Sequence, residues 1–127
     1  LHFRLPDGYR NLMATGSIEH DFSMGYSENI GFRAGICSSF NFYDLAQDYE
    51  TKLRVHPFAY MDVALKNGLK LLPEQAIEEI KQMTDEVRCV GGEMISIWHN
   101  ESLSNKREWI GWRNVYEKMI EYSVNKK

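Results

Sequence analysis

The stretch from residue 72 to residue 99 constrains the fold of this chain more than any other. Its apolar residues first recur at steps of three and four: Ala76, Ile77, Ile80, Met83, Val87 and Val90. This spacing predicts an α-helix with one buried face, which Pro73 opens and Gly91-Gly92 ends. Residues 93–98 then form an apolar run, broken only by Glu93 and Ser96, which predicts a strand covered on both faces. A helix that leads into such a strand is typical of parallel α/β folds.

The rest of the chain continues this alternation. Pattern and turn residues predict a helix from Pro6 to about Gly16, a short strand ending at Asp21, a strand over 52–58, a short helix over 60–68 and a last helix over 109–123. Residues 22–43 carry glycines, aromatics and short polar residues without a helical period, so we expect a long structured loop there, with a short strand near 32–36. The prediction is one α/β domain over 1–127 with mostly parallel strands.

Charge and composition argue against several kinds of partner. The 127 residues carry a net charge of −3, whereas a nucleic-acid-binding domain calls for a basic excess. No apolar run approaches the roughly 20 residues that span a bilayer, so no membrane span is expected. Cys37 and Cys89 are not in a zinc-ligand spacing, and we interpret both as isolated buried thiols, with a disulfide between them as the alternative.

Polar residues end the predicted strands, and in parallel α/β folds ligands bind beyond those ends. The strand-end residues are His2, Arg4, Asp21, His56 and His99. His99 is the strongest candidate, because an imidazole exchanges protons near neutral pH and can act as a general acid or base. Asn100 and Glu101 could orient it or a substrate. The alternative is a structural imidazole bonded to a backbone carbonyl.

Two further side chains are candidates for shaping the site. Asp21 either accepts a hydrogen bond from a substrate or a histidine, or caps its own loop. Arg33 lies between glycines in GFRAG, where its planar guanidinium could bind a carboxylate or pair with Asp21. His20 and His56 lack a partner in any HxxxH or HExxH spacing, so a metal site made from this chain's histidines alone is not expected.

Four segments of the chain resemble the C-terminal half of a polysaccharide-deacetylase-like family, relatives of the NodB-homology carbohydrate esterases (carbohydrate esterase family 4). They are HFRLP, DFSMGYSENIGFRAGICSSFNFYDL, VHPFAYMDVAL and GGEMISIWHNESL with the following WIGWRNVYEKMI. The resemblance covers nearly the whole chain. GFRAG and WHN at this separation carry most of its specificity.

The resemblance implies a distorted (β/α) barrel that removes acetyl groups from sugars with the help of a divalent metal, often zinc. In that family an aspartate and two histidines bind the metal, a second aspartate is the base, and a histidine after a late strand is the acid. His99 matches the last of these. The earlier motifs have no counterpart here, so we expect them to lie upstream of Leu1 and the chain alone not to hold the catalytic metal.

Two other functions stay open at this point. One is a carbohydrate-binding or scaffold domain on the same fold, which would hold glycan through the aromatics of residues 22–43. The other is an unrelated α/β enzyme that uses Cys37 as a nucleophile. Part of a barrel would expose sheet edges and apolar surface, so we expect the isolated chain, if it folds stably, to self-associate or to rearrange, and a monomer in sedimentation would contradict this.

Overall fold

The computed structural model describes residues 7–14, 16 and 18–125. Its elements in chain order are α1 (Asp7–Ala14), β1 (His20–Asp21), β2 (Phe40–Asp44), β3 (Tyr49–Val55), β4 (Tyr60–Met61), a π-helical turn (Ala64–Gly68), α2 (Pro73–Cys89), β5 (Ser96–Ile97), two 3₁₀ turns (Asn100–Leu103 and Arg107–Trp109) and α3 (Trp112–Asn125). The fold is mixed α/β, as predicted. In the described residues the strands form two small sheets and no closed barrel.

The first sheet has the strand order β1-β3-β2, with β1 parallel and β2 antiparallel to β3. Strand β3 alternates along its length, because Thr51, Leu53 and Val55 are buried while the residues before Thr51 and Leu53 are exposed. This two-residue period is that of a half-buried strand. Helix α1 contributes the fully buried Tyr9 to the hydrophobic cluster of the first sheet. Met24, from the loop after β1, belongs to the same cluster. The β1–β3–β2 sheet and α1 therefore share one small core.

The second sheet consists of β4 and β5 alone, which pair in parallel with Tyr60 opposite Ser96 and Met61 opposite Ile97. Helices α2 and α3 pack beside it and supply most of the larger core. The buried members of that core are Ala59, Tyr60, Leu65, Ala76, Ile80, Met83, Trp109, Trp112 and Val115. The second sheet thus packs against the larger of the two core clusters.

Several predicted elements are confirmed. Helix α2 runs from Pro73 to Cys89, and the backbone N–H of Leu72 donates to the Gln75 side chain at 2.9 Å at its start. Gly91 has a φ of +66°, the left-handed conformation that commonly follows a helix end. Helix α1 and the short strand ending at Asp21 are also present. Pro6, predicted to open α1, lies outside the described residues.

Other predictions were wrong in detail. No strand forms over 32–36, where a turn is closed by the Gly35 N–H donating to the Phe32 carbonyl. The loop instead ends in β2, which makes an antiparallel hairpin with β3. The strand predicted over 52–58 spans 49–55, because His56 and Pro57 begin the passage to the second sheet.

The second sheet also differs from the prediction. Residues 62–68 of the segment predicted as a short helix over 60–68 are helical, and the segment starts with strand β4. The strand predicted over 93–98 is reduced to Ser96–Ile97. Both of its residues are only partly buried, so it is not covered on both faces. The last helix begins at Trp112, since Arg107–Trp109 form a 3₁₀ turn. Within the described residues, no helix is long and apolar enough to cross a membrane.

A partly buried ion pair joins α1 to the hairpin. Arg10 donates to both carboxylate oxygens of Asp44, at 3.1 Å from Nε and 2.9 Å from Nη2. Asp44 is 1% exposed, and its Oδ1 also accepts the backbone N–H groups of Ala46 and Gln47. The hydrogen bond from Arg10 holds the pKa of Asp44 below its ordinary value. One carboxylate therefore organises both the β2–β3 turn and the docking of α1.

Arg10→Met is expected to lower the midpoint of thermal unfolding by roughly 5 °C at pH 7, because it leaves the Asp44 carboxylate buried without its cation. Asp44 has a lowered pKa when folded, so its contribution is present above its ordinary pKa of about 4. That contribution is lost as the pH falls through the lower pKa that Asp44 has in the folded chain. The difference in unfolding midpoint between wild type and Arg10→Met should disappear there.

Asp7→Asn is the matched control, since Asp7 is the exposed second partner of Arg10 at 3.2 Å. Exposed pairs contribute little, so its midpoint should stay within about 2 °C of wild type. Equal losses in the two variants would show that the partly buried pair does not hold α1 on the hairpin.

Candidate active site

The candidate site lies where the two strands of the second sheet end. Asp62 follows β4 directly, and His99 stands two residues beyond β5. Because the strands are parallel and in register, their carboxyl ends come to the same edge. Two residues 37 positions apart in the chain are thereby brought into hydrogen-bond contact.

Asp62 is fully buried, and its carboxylate is saturated with donors. Its Oδ1 lies 2.6 Å from Nδ1 of His99 and 2.7 Å from the backbone N of Val63. Its Oδ2 accepts the backbone N–H of His99 at 2.7 Å and the hydroxyl of Ser102 at 2.5 Å. A buried carboxylate needs such partners, since leaving it unpaired in the core would be strongly unfavourable. Asp62 therefore fixes both the backbone and the ring of His99.

The position of Asp62 decides which ring nitrogen of His99 can react. A carboxylate facing Nδ1 makes that nitrogen the N–H donor, so Nε2 is the atom that gains or loses a proton. The imidazole is 50% exposed, and within the described residues nothing is hydrogen-bonded to its Nε2. The arrangement is that of a proton-transfer histidine held by an aspartate.

The segment after His99 folds back onto the pair. Residues Asn100–Leu103 form a 3₁₀ turn, and the backbone N–H of Ser102 donates to the His99 carbonyl at 3.1 Å. Ser102 is fully buried, which places its hydroxyl within reach of both Asp62 and that carbonyl. The turn thus closes over the carboxylate while the His99 ring remains open to solvent.

In the described residues, neither Asn100 nor Glu101 is hydrogen-bonded to the His99 ring, and contact with a substrate stays a prediction for both. Asn100 is exposed at the start of the 3₁₀ turn. Glu101 pairs with Lys106 at 2.8 Å, and this contact holds the pKa of Glu101 below its ordinary value. Glu101 is therefore engaged at the surface rather than with the ring. The orienting residue is Asp62, which lies within the segment predicted as a short helix over 60–68.

Behind the site, β4 and β5 are tied to α3. The Tyr60 hydroxyl lies 2.7 Å from the sulfur of Met119, and Ser96 approaches the same sulfur at 3.5 Å. Burial raises the pKa of Tyr60 to about 12, so its hydroxyl keeps its proton at neutral pH. Trp98 packs edge-on between Tyr60 and Tyr116. These contacts join β4 and β5 to α3.

The other predicted site residues lie at the end of β1, in the loop before β2, or outside the described part of the chain. Asp21 is buried at the end of β1 and accepts hydrogen bonds from the Ser23 hydroxyl at 2.6 Å and the Ser23 backbone N–H at 3.3 Å. This is a local cap, and it also faces Tyr9, whose pKa is raised mainly by burial and further by Asp21. Arg33 is exposed. Across the described residues, no ion pair joins Arg33 to Asp21, and no hydrogen bond joins either to His99.

His2 and Arg4 lie outside the described residues. Cys37 and Cys89 are both free thiols, the first partly buried and the second exposed. Comparisons with models of protein families, with curated proteins and with solved structures give no match for this chain.

Proposed function

We propose that this chain forms the C-terminal part of a metal-dependent polysaccharide deacetylase, a hydrolase that removes acetyl groups from sugars, with His99 as its general acid. The observation that carries the proposal is the buried Asp62 carboxylate on Nδ1 of His99, which leaves Nε2 open at the carboxyl ends of two parallel strands. The resemblance of the WHN segment to the family's late acid motif supports the same role. Asp62 is then a positioning residue that acts through His99.

The proton step can be written from this geometry. When water adds to an acetamide carbonyl, the resulting intermediate breaks its carbon–nitrogen bond, and the sugar nitrogen leaves as a neutral amine only if it gains a proton. Protonated His99 supplies that proton from Nε2. The ring is then neutral and still bonded to Asp62 through Nδ1. For an O-acetyl group the same proton goes to the leaving sugar oxygen.

The divalent metal that the resemblance implies has no ligand set in this part of the chain. Within the described residues, no three histidine, cysteine, aspartate or glutamate side chains converge to hold an ion. In this proposal the metal ligands and the base belong to the family's earlier motifs, which the resemblance does not place in this chain. This chain's share of the reaction is the proton transfer by His99.

Acetate release from N-acetylated oligosaccharides with added zinc tests the proposal. A version extended upstream of Leu1 should release acetate, a chelator should stop it, and the 127-residue chain alone should release none. If the extended protein releases no acetate from N- or O-acetylated substrates, the hydrolase proposal fails.

The second candidate is a carbohydrate-binding domain, and exposed aromatic side chains favour it. Phe22 is 52% exposed and Tyr26 is 40% exposed in the loop before β2, and flat apolar rings of this kind stack on sugars. Such a domain would retain glycan in the presence of chelator. If chelator leaves glycan binding unchanged and no acetate is released, the chain is a carbohydrate-binding domain and not part of a hydrolase.

A further inference from the structure

Two histidine rings meet at the end of the first sheet, away from Asp62 and His99. His20 lies in β1 and His56 directly follows β3, and Nδ1 of His20 lies 2.9 Å from Nε2 of His56. The ring centroids are 5.2 Å apart, so the two nitrogens face each other across a hydrogen bond. One nitrogen must donate its N–H and the other must accept it with a lone pair. The contact therefore requires that one of the two facing nitrogens carries no proton.

The His56 ring has a partner on each side. Its Nε2 faces His20 of the first sheet, and its Nδ1 lies 3.5 Å from a carboxylate oxygen of Glu93, in the segment that leads to β5. Phe22 stacks on the ring, with centroids 4.4 Å apart and planes 9° from parallel. The His56 side chain is 16% exposed, whereas His20 is exposed. His56 is thus the fixed member of the pair, and His20 is the member that can turn into solvent.

Strand β1, which carries His20, is short and lies at the edge of its sheet. It consists of His20 and Asp21. Two backbone hydrogen bonds from β3 and its end reach this part of the chain, from Arg54 to the carbonyl of Glu19 and from His56 to the carbonyl of Asp21, both at 2.8 Å. The contact between the two rings adds a cross-strand side-chain interaction to these. An edge strand with so few backbone bonds depends on such a side-chain contact.

Protonation of both rings abolishes their hydrogen bond. Imidazoles gain protons as the pH falls from about 8 to about 5. A doubly protonated pair places two N–H groups and two positive charges against each other, with no lone pair left to accept. The His56 imidazolium then has Glu93 at ion-pair distance, whereas the nearest partner of His20 in the structure is the ring that now repels it.

The other charged groups around the pair largely offset one another. An open cavity of about 850 Å³ borders both rings, and its charged lining residues are Glu19, Glu50, Lys52 and Arg54. The Arg54 guanidinium donates to side chains in and just before β2, and the Asp21 carboxylate accepts from Ser23. Of the carboxylates in the described residues, that of Glu93 is the one within ion-pair distance of these two rings.

We propose that the His20–His56 contact is a pH-sensitive switch that holds β1 on β3 near neutral pH and releases it in mild acid. The hydrogen bond contributes while one facing nitrogen is unprotonated, and this contribution is lost as the pH falls and both rings gain protons. His56 then keeps Glu93 as its partner, and His20 turns into solvent with β1. The switch is separate from the proposed acetyl hydrolysis and does not depend on it.

Amide hydrogen exchange of the unsubstituted 127-residue chain tests the switch. The backbone N–H groups of Arg54 and His56 should lose protection by at least about tenfold between about pH 7.5 and about pH 5, after correction for the intrinsic exchange rate. The N–H of Ala59 donates to Ile95 in the second sheet at 2.7 Å and should keep its protection. Unchanged protection of Arg54 and His56 would overturn the proposal. So would an equal loss at Ala59, which would mean that the whole chain opens.

Three variants identify the groups responsible. His20→Gln keeps a hydrogen-bonding side chain that cannot become charged, so the loss of protection in acid should disappear. Glu93→Gln removes the anion beside His56, so the loss should move to lower pH because the second proton is less favourable. His99→Gln is the matched control, since it makes the same change at an exposed imidazole of the other sheet, and it should behave as wild type. A loss that persists unchanged in His20→Gln would contradict the switch.

Discussion

His99→Ala in the upstream-extended protein is expected to lower kcat for acetate release by about 10²–10⁴, the usual loss when a general acid is removed. The loss should fall on kcat rather than on KM, because Nε2 acts on the leaving group only as the bond breaks. The geometry behind this expectation is the half-exposed ring with its Nδ1 fixed 2.6 Å from Asp62.

Asn105→Ala is the control for this experiment, since Asn105 is an exposed polar residue a few positions further along the same loop. Its kcat should match that of wild type. A His99→Ala protein with wild-type turnover would leave the imidazole with a structural role only. A change confined to KM would indicate that His99 contacts the substrate and is not the general acid.

Asp62→Ala is expected to destabilise the chain by about 3 kcal/mol. The substitution removes the carboxylate that accepts the backbone N–H groups of His99 and Val63. It also leaves a cavity at a fully buried position. Ser102 loses one acceptor and keeps the His99 carbonyl at 2.7 Å. Denaturant unfolding of wild type and variant measures the difference directly.

Ser102→Ala is the graded comparison. It removes one donor from a carboxylate that keeps three others, so its loss should be only about 1 kcal/mol. If Asp62→Ala changed the free energy of unfolding by less than Ser102→Ala, the carboxylate would not be what holds the loop after β5.

The elements with a strong local signal were predictable from sequence. Helix α2 shows a sustained period and has Pro73 and Gly91 at its ends, so neighbouring residues alone specify it. The hairpin was missed because Phe40–Asp44 follow a glycine-rich loop and look like its continuation. The alternation of Thr51, Leu53 and Val55 was a usable signal for an earlier strand start.

The candidate site was half predictable. A histidine ending an apolar strand is visible in sequence, and His99 was singled out on that basis. Asp62 was not, because its partnership depends on the register of β4 with β5, and two-residue strands carry little pattern. One signal was available: an aspartate within the apolar run PFAYMDVAL must find partners if that run is buried. The His20–His56 contact likewise depends on strand pairing alone.

The most direct test of the account is a double-mutant cycle on kcat for acetate release, using His99→Ala and Asp62→Asn in the upstream-extended protein. Asp62→Asn keeps the size of the side chain and removes the charge that fixes the tautomer of His99. Asp62→Asn alone is expected to lower kcat. The double variant should be no slower than His99→Ala, because Asp62 acts through the His99 ring. Losses that multiply would show that the two residues act independently, which would contradict the paired acid proposed here.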